Sequence, residues 1–290
     1  MTSVVDVSVL IATRDRPALL ADAVASILEG DVLPAEIVVG DQSAHSGRLP
    51  RGRGACVVRR VHLASSGLSR SRNQAAAAAR QSVLAFVDDD VLVRPAWLAA
   101  LYAAVEARDG RTVATGRVVA GAPEVPGAFQ VAVRDDPTPA VYVGRQARDV
   151  LAGGNMAIAR SAFERVGGFD ERLGPGTAFP AAEDNDLSLR LLDAGHALAY
   201  VPEAVVVHRA WRPPGDYLAL RRAYGVGQGA FYAKHAQKSG GYVLRRATTQ
   251  VAHYVLRLPL RACREPRRAA GDVVFLTGLA MGAARWYAAQ

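Results

Sequence analysis

The chain has 290 residues, half of them hydrophobic, enough for one large α/β domain or two small ones, and this excludes general disorder. Its formal charge of +8 is unevenly spread: residues 209–290 hold 14 of the 35 Lys and Arg and only 3 of the 27 Asp and Glu, so the rest of the chain is mildly acidic. Two cysteines, Cys56 and Cys263, make neither a disulfide framework nor a metal-ligand spacing, so a reducing, cytoplasmic setting is the default.

The N-terminus enters an apolar run without a basic stretch or a small-residue cleavage site, and no signal peptide is expected. Residues 7–13 read as a first buried strand. Asp15 is placed to cap the helix expected over 18–28, and Pro17 suits its first turn. A second strand at 36–40 ends at Asp41-Gln42-Ser43. Residues 44–54 are loop, 56–63 a third strand, and Ser66-Gly67 opens a helix running through Arg72, Asn73 and an alanine run. The apolar run 83–87 then stops abruptly at Asp88-Asp89-Asp90. Pro95 starts a helix over 97–105, and 112–119 read as another strand.

Strand and helix patterns alternate through this half, which predicts βαβ units, a mostly parallel sheet, and ligands beyond the carboxyl ends of its strands. Thr13, Asp41 and Asp88 to Asp90 all fall at such ends. Three adjacent acids at the end of a buried strand need a compensating cation, and a hard divalent ion with oxygen ligands is the simplest one. The competing explanation is an acidic turn or helix N-terminus.

Residues 121–148, with four prolines and mixed charge, show no clear element and suit a loop beside the site. Gly153-Gly154-Asn155-Met156 lies in an apolar stretch whose small residues admit a close neighbour. Residues 167–171 are a turn, 174–182 are rich in Gly and Pro, and Glu183-Asp184-Asn185-Asp186 opens a leucine-rich helix. Residues 197–207 read as a strand pair broken at Pro202 and ending at His208.

Taken in order, these segments resemble the inverting nucleotide-sugar glycosyltransferases of family 2, over about residues 5–210. The opening strand and turn through Pro17, the Val38-Val39-Gly40-Asp41-Gln42-Ser43 strand end, Gly67-Leu68-Ser69-Arg70-Ser71-Arg72-Asn73, Asp88-Asp89-Asp90, Gly153-Gly154-Asn155-Met156, Gly167-Gly168-Phe169-Asp170 and Glu183-Asp184 are each similar to a family motif. Gly40 stands where the family usually has a first acid, Ser71 where it has alanine, and Arg14 where it often has an aromatic residue.

The resemblance implies a GT-A fold: a Rossmann-like nucleotide-binding half with a mostly parallel sheet at 1–119, an acceptor and catalytic half at 120–210, and a helical region at 211–290. It implies a nucleotide-diphosphate sugar donor, a hydroxyl-bearing acceptor, lipid-linked or glycan, and Mg²⁺ or Mn²⁺. Asp88, Asp90 and His208 are then the expected metal ligands, although a satisfied structural histidine fits His208 as well. Thr13, Arg14, Asp41, Arg72, Asp88 and Asp89 are expected to serve the nucleotide sugar. Asp41 either accepts from the base or initiates a turn, Arg72 pairs with a phosphate or with a site carboxylate, and Asp89 touches the ribose or faces solvent. Asp184 is the expected general base, supported on the acceptor side by Glu183, Gly154 and Asn155.

From Arg209 onward the pattern is helical, amphipathic and rich in arginine. Its longest uncharged stretch, 273–284, is 12 residues, too short for a spanning helix of about 20. An anionic membrane surface at the inner face or a helical cap over the acceptor accounts for it equally well; no nucleic-acid module is present. Gly225-Val226-Gly227-Gln228-Gly229 follows no strand, so it is not a dinucleotide fingerprint. Two rival readings are a nucleotidyltransferase, which would show a Gly-rich basic loop after the first strand, and a catalytically silent membrane-attached binding protein.

Overall fold

The computed structural model describes residues 2–290 except 65, 108–109, 124–125 and 210. Nine strands of the described residues form one sheet: β1 (Ser3–Thr13), β2 (Val32–Asp41), β3 (Val57–His62), β4 (Val83–Asp88), β5 (Val91–Val93), β6 (Thr112–Ala120), β7 (Ala140–Tyr142), β8 (Asn155–Ala159) and β9 (Ala197–His208). The order is β3-β2-β1-β4-β8-β6-β9-β5, with β7 also paired to β9. β1 to β4, β6 and β9 run one way, while β5, β7 and β8 run against them. The sheet is thus mostly parallel and continuous across residues 119 and 120.

Alternation along β1 sets up the layers. Val7, Val9 and Ile11 face α1 (Pro17–Leu28) and α3 (Trp97–Glu106), joining Leu20, Val24, Ile27, Trp97 and Leu101 in one core. Leu10 faces the other side, where α2 (Leu68–Ala78), α4 (Arg160–Arg165) and α5 (Glu183–Asp193) pack with Phe86, Phe163, Phe169 and Leu187. Phe86, Phe163 and Phe169 meet with ring centroids 5.2–5.7 Å apart. Fully burying such a ring stabilises the fold by about 1.5–3 kcal/mol.

Two local expectations are corrected. Asp15 does not cap α1: the N-cap is Arg16, no side chain caps it, and Asp15 sits at φ 55° with its N–H donating to Ser43 Oγ. Pro202 does not divide a strand pair: β9 passes through it unbroken. The pairing with β6 shifts from Gly116↔Val201 to Arg117↔Val205, and this bulge takes up the residue that lacks an N–H. The unassigned 121–148 segment supplies β7 and a bridge between Val118 and Arg134 that brings residues 131–134 to the cleft.

The C-terminal region is helical, with α6 (Tyr217–Arg264) and α7 (Pro266–Ala288). A straight α6 would hold Arg221 and Tyr254 about 50 Å apart, yet Arg221 Nη2 lies 3.1 Å from the Tyr254 hydroxyl. Tyr232 and Gln250 are likewise bonded, and Tyr232 packs with Val243. The helical run therefore doubles back just before Tyr242, and with α7 it makes three packed helical arms. The glycine-rich segment is a packing device. A Cβ on Gly225 or Gly229 would fall 2.2 or 2.0 Å from an α7 carbonyl oxygen, and one on Gly227 would fall 2.5 Å from Ala181 O. The first arm thereby presses on the backbone leading into α5. Among the described residues no helix is long and apolar enough to cross a membrane.

Candidate active site

The carboxyl ends of β1 and β4 and the start of α5 open on one cleft of about 790 Å³, closed on its far side by α6. β4 delivers the acids, because its register against β1 pairs Ala12 with Asp88. Asp88 accepts from Arg72 Nη2 at 2.6 Å. Asp89 accepts from Thr13 Oγ1 at 2.7 Å and from Arg16 Nη1 at 3.2 Å, and Arg16 also reaches Asp90 at 3.0 Å. His208 Nε2 lies 3.5 Å from Asp90, while its Nδ1 meets Val131 O.

Asp89 neither faces solvent nor stands free: it is 6 % exposed. Burial pushes its carboxyl up to about 6, with Thr13 and Arg16 pulling the other way. Burial opposes ionisation of Asp90 too, but His208, Arg16 and Arg212 outweigh it and lower that group. For His208, burial disfavours the charged ring and Asp90 more than offsets it, so its pKa is raised.

Arg72 resolves the choice left open for it: it is buried, lies over the Phe169 ring, and pairs with carboxylates. One nitrogen holds Asp88 and the other lies 3.5 Å from Glu183 Oε1. Gly153 and Gly154 run between these groups. A Cβ on Gly154 would fall 2.0 Å from Asp88 Oδ2, and one on Gly153 would fall 3.0 Å from Arg72 Nη1 and 3.2 Å from Asp184 Cβ. Only glycine lets the backbone pass so close to both acidic clusters.

Glu183 and Asp184 begin α5 behind Ala182, which takes a left-handed conformation at φ 71°. Burial raises Glu183, with Arg72 opposing it. Burial and the nearby carboxylates of Glu183 and Asp149 push Asp184 up to about 7. Asp184 remains partly open to the cleft, and its Oδ1 accepts from the Asn185 backbone.

Asp41 and Asn155 sit elsewhere than expected. Asp41 is 1 % exposed, accepts from Ser43 N at 2.9 Å and pairs with Arg60 at 3.0 Å, which is the turn-initiating alternative. Gln42, beside it, lines the cleft instead. Asn155 is fully buried in β8: Trp97 donates to it, and it donates to the Arg117 and Ala204 carbonyls. It braces the sheet behind the glycines and does not face an acceptor. Arg14 lies exposed at the cleft mouth against Asp15.

The residues missed in sequence are those brought from afar. Arg16 counters two of the three acids, and Arg212, Tyr224, Gln228 and Tyr254 reach the cleft from the helical region. Gln228 accepts from Asn185 Nδ2 at 3.0 Å, next to Asp184. Arg212 Nε is buried without a hydrogen-bond partner among the described residues. Only the position of Arg16, three residues past the strand end, offered a signal.

The acids present fit a hard divalent ion. Among the described residues their charge is met by Arg16, Arg72 and His208, with Arg212 also acting on Asp90, and Asp88 keeps an edge on the cleft. Among the described residues no three His, Cys, Asp or Glu form a complete metal cage. One or two carboxylates completed by substrate phosphates is how Mg²⁺ is held in phosphate sites.

Residues 8–167 match the sequence pattern of Glycosyl transferase family 2. This chain belongs to that family. A pre-mycofactocin glycosyltransferase of Mycobacterium tuberculosis is 29 % identical over 249 residues, covering 82 % of this chain and 50 % of that protein. An N-acetylglucosaminyl-diphospho-decaprenol L-rhamnosyltransferase of the same organism is 34 % identical over 125 residues, covering 39 % and 37 %. The chain spans half or less of the length of these relatives. A mannosyltransferase from Pyrobaculum calidifontis, solved with GDP-Man and Mn²⁺, superposes with a TM-score of 0.60 at 15 % identity, covering 96 % of this chain and 86 % of that one. GalNAc-T7, solved with UDP, GalNAc and Mn²⁺, gives 0.53 at 20 % identity, covering 81 % and 51 %. At such identities these likenesses speak for the fold, which is GT-A in this family 2 chain as in those structures.

Proposed function

We propose that this family 2 chain is an inverting glycosyltransferase that moves a sugar from a nucleotide-diphosphate sugar to an acceptor hydroxyl. The observation that carries the reading is the placement of Asp88–Asp90 and Glu183–Asp184 on one cleft, bridged by Arg72. The Asp184 carboxylate takes the proton of the acceptor hydroxyl as its oxygen attacks the anomeric carbon from the face opposite the diphosphate. The bond from that carbon to the phosphate oxygen breaks, and its electron pair leaves with the nucleoside diphosphate.

Asp88 and Asp90, with His208 alongside, hold Mg²⁺ or Mn²⁺ in this reading. When bound, the metal neutralises charge growing on the leaving diphosphate as a Lewis acid. Arg212, which lines the cleft and whose Nε has no hydrogen-bond partner among the described residues, meets the same diphosphate in this reading. Thr13 and Arg16 fix the acids, Arg14 and Gln42 line the nucleotide side, and Gln228 orients the acceptor beside Asp184. The diphospho-lipid in the name of one relative makes a lipid-linked acceptor the first to try.

Asp90→Ala weakens donor binding in the presence of Mn²⁺ and leaves the weaker metal-free binding unchanged. Calorimetry with a panel of nucleotide sugars checks this, and equal affinity with metal would remove Asp90 from the site.

Attachment to an anionic membrane surface is part of the reading. The second arm of α6 exposes Val255, Leu256 and Leu260, with Leu256 79 % exposed, between Arg245, Arg257 and Arg264. Leu256→Asp with Leu260→Asp lowers co-sedimentation with vesicles of equal parts phosphatidylcholine and phosphatidylglycerol. Unchanged sedimentation would leave the tail as a cap over the acceptor.

A further inference from the structure

We propose that a second cavity, in the helical region and apart from the donor site, binds a phosphate group. The cavity measures about 250 Å³ and lies between the two arms of α6 and the start of α7. Arg221, Arg257, Arg261, Arg268 and His253 line it together with Tyr217 and Tyr254. A single carboxylate, Asp272, faces these four guanidinium groups. It is 1 % exposed and already engaged, by Arg261 at 2.5 Å and Arg221 at 3.4 Å.

Of the other two arginines, one pairs with a carboxylate outside the cavity and, among the described residues, one does not. Arg268 is held from outside the cavity by Glu265 at 2.6 Å. Arg257 has no carboxylate partner among the described residues, and its guanidinium donates to His253 Nε2, one turn away. Four guanidinium groups set against the two carboxylates of Asp272 and Glu265 leave an excess of positive charge around one small, polar space, and an anion joining them relieves that repulsion. This is the inverse of the three acids at the end of β4. Guanidinium forks match phosphate oxygens in pairs, and the Tyr254 and Tyr217 hydroxyls add donors at the wall. The space is several times the ~30 Å³ that one water occupies in the liquid, so a phosphate or diphosphate fits.

The cavity does not belong to the donor site, whose acids and glycines lie on the sheet, but Tyr254 lines both spaces. A phosphate held here sits one aromatic ring away from the acceptor side of the cleft. It also sits on the arm that exposes Leu256 and Leu260. The phosphate is therefore carried by a soluble or acceptor-borne phosphoryl group, or by a bilayer headgroup.

The test uses the full chain in EDTA without donor, so that no metal-dependent site contributes. Inorganic pyrophosphate is titrated by calorimetry, and in parallel the protein is sedimented with phosphatidylcholine vesicles with or without an equal part of phosphatidylglycerol. Arg257→Gln with Arg268→Gln spares the Asp272 pairs, so the fold is kept, and an unchanged Tm checks this. The expected result is a loss of about tenfold or more in affinity, close to 1.4 kcal/mol, with Arg257→Lys losing less than Arg257→Gln. Loss in the pyrophosphate arm assigns the site to a phosphorylated small molecule or acceptor, and loss only with phosphatidylglycerol vesicles assigns it to a headgroup. Wild-type behaviour of the double variant in both arms overturns the proposal. Failure of the glycosyltransferase reading would instead abolish Mn²⁺-dependent nucleotide binding and leave this titration as it is.

Discussion

Replacing Asp184 by Asn lowers product formation by about 10²–10⁴-fold, the range expected for losing a general base, and leaves donor affinity nearly unchanged. The two shapes are almost equal, so the change removes the proton acceptor and little else. Calorimetry with donor and Mn²⁺, run beside a product assay, separates the two effects. An active Asn variant would move the base elsewhere in the cleft. The pH profile gives a second reading. Burial and the Glu183 and Asp149 carboxylates hold Asp184 up to about 7, and only the ionised form can take a proton. In the free enzyme kcat/KM therefore rises with pH through about 7 and falls on the acid side, one proton per site. A profile flat from pH 5 to pH 9 would contradict the assignment.

The second large effect is on stability. Asp186, one turn into α5, has no exposed surface and is bonded by Lys234 Nζ at 2.5 Å, by Arg190 Nη2 at 2.7 Å and by His235 Nε2 at 2.7 Å. Two of these partners come from α6, so this carboxylate ties the helix carrying Asp184 to the C-terminal arms. Asp186→Ala removes the buried carboxylate that Arg190, Lys234 and His235 share, leaving Lys234 with Asp170 alone, and costs about 3–5 kcal/mol. At roughly 2–4 °C per kcal/mol, Tm falls by about 6–20 °C in a thermal melt. A drop of under a degree would mean that the network is already matched by solvent.

The sign of the pH effect follows from the same contacts. Although burial works against it, the bond from His235 and the charges of Arg190 and Lys234 hold Asp186 down at about 2, below the usual value of 3.8. Its contribution is complete above the unfolded pKa and is lost as pH falls through about 2. Wild type therefore loses stability between pH 4 and pH 2 by an amount the Ala variant does not, which melts at both ends of that range measure.

Where local pattern decided, sequence and structure agree. The apolar run before Asp88 becomes the buried strand β4, residues 7–13 form the buried part of β1, and the acids at α5 open a helix. Asp88, Asp90, Thr13, His208 and Asp184 reach one cleft because each lies at a strand end, in the turn just past one, or at a helix start on the same sheet edge. Asp41 and Asn155 show the limit of that logic. A strand end says which edge a residue reaches, but the partner that claims its side chain comes from another element, Arg60 in one case and Trp97 in the other. Pro202 shows it for the backbone, where a bulge against β6 accommodates what a local rule reads as a break.

By itself the sequence determined the order of the longer elements but not β5, β7 or α4, together with the mostly parallel sheet, the amphipathic tail and the family, because periodicity and short motifs are local. Only the tertiary structure decided that Arg72 joins the two acidic clusters, that Arg16 counters the acids after β4, and that α6 doubles back to wall the cleft and build an arginine-lined cavity. The first two depend on charges meeting across as many as 73 residues, between Arg16 and Asp89, and 111, between Arg72 and Glu183, and the third on contacts such as Arg221 with Asp272, 51 residues apart. Coulomb attraction and close packing act through space, and one-dimensional spacing does not record which distant groups the folded backbone will bring within reach.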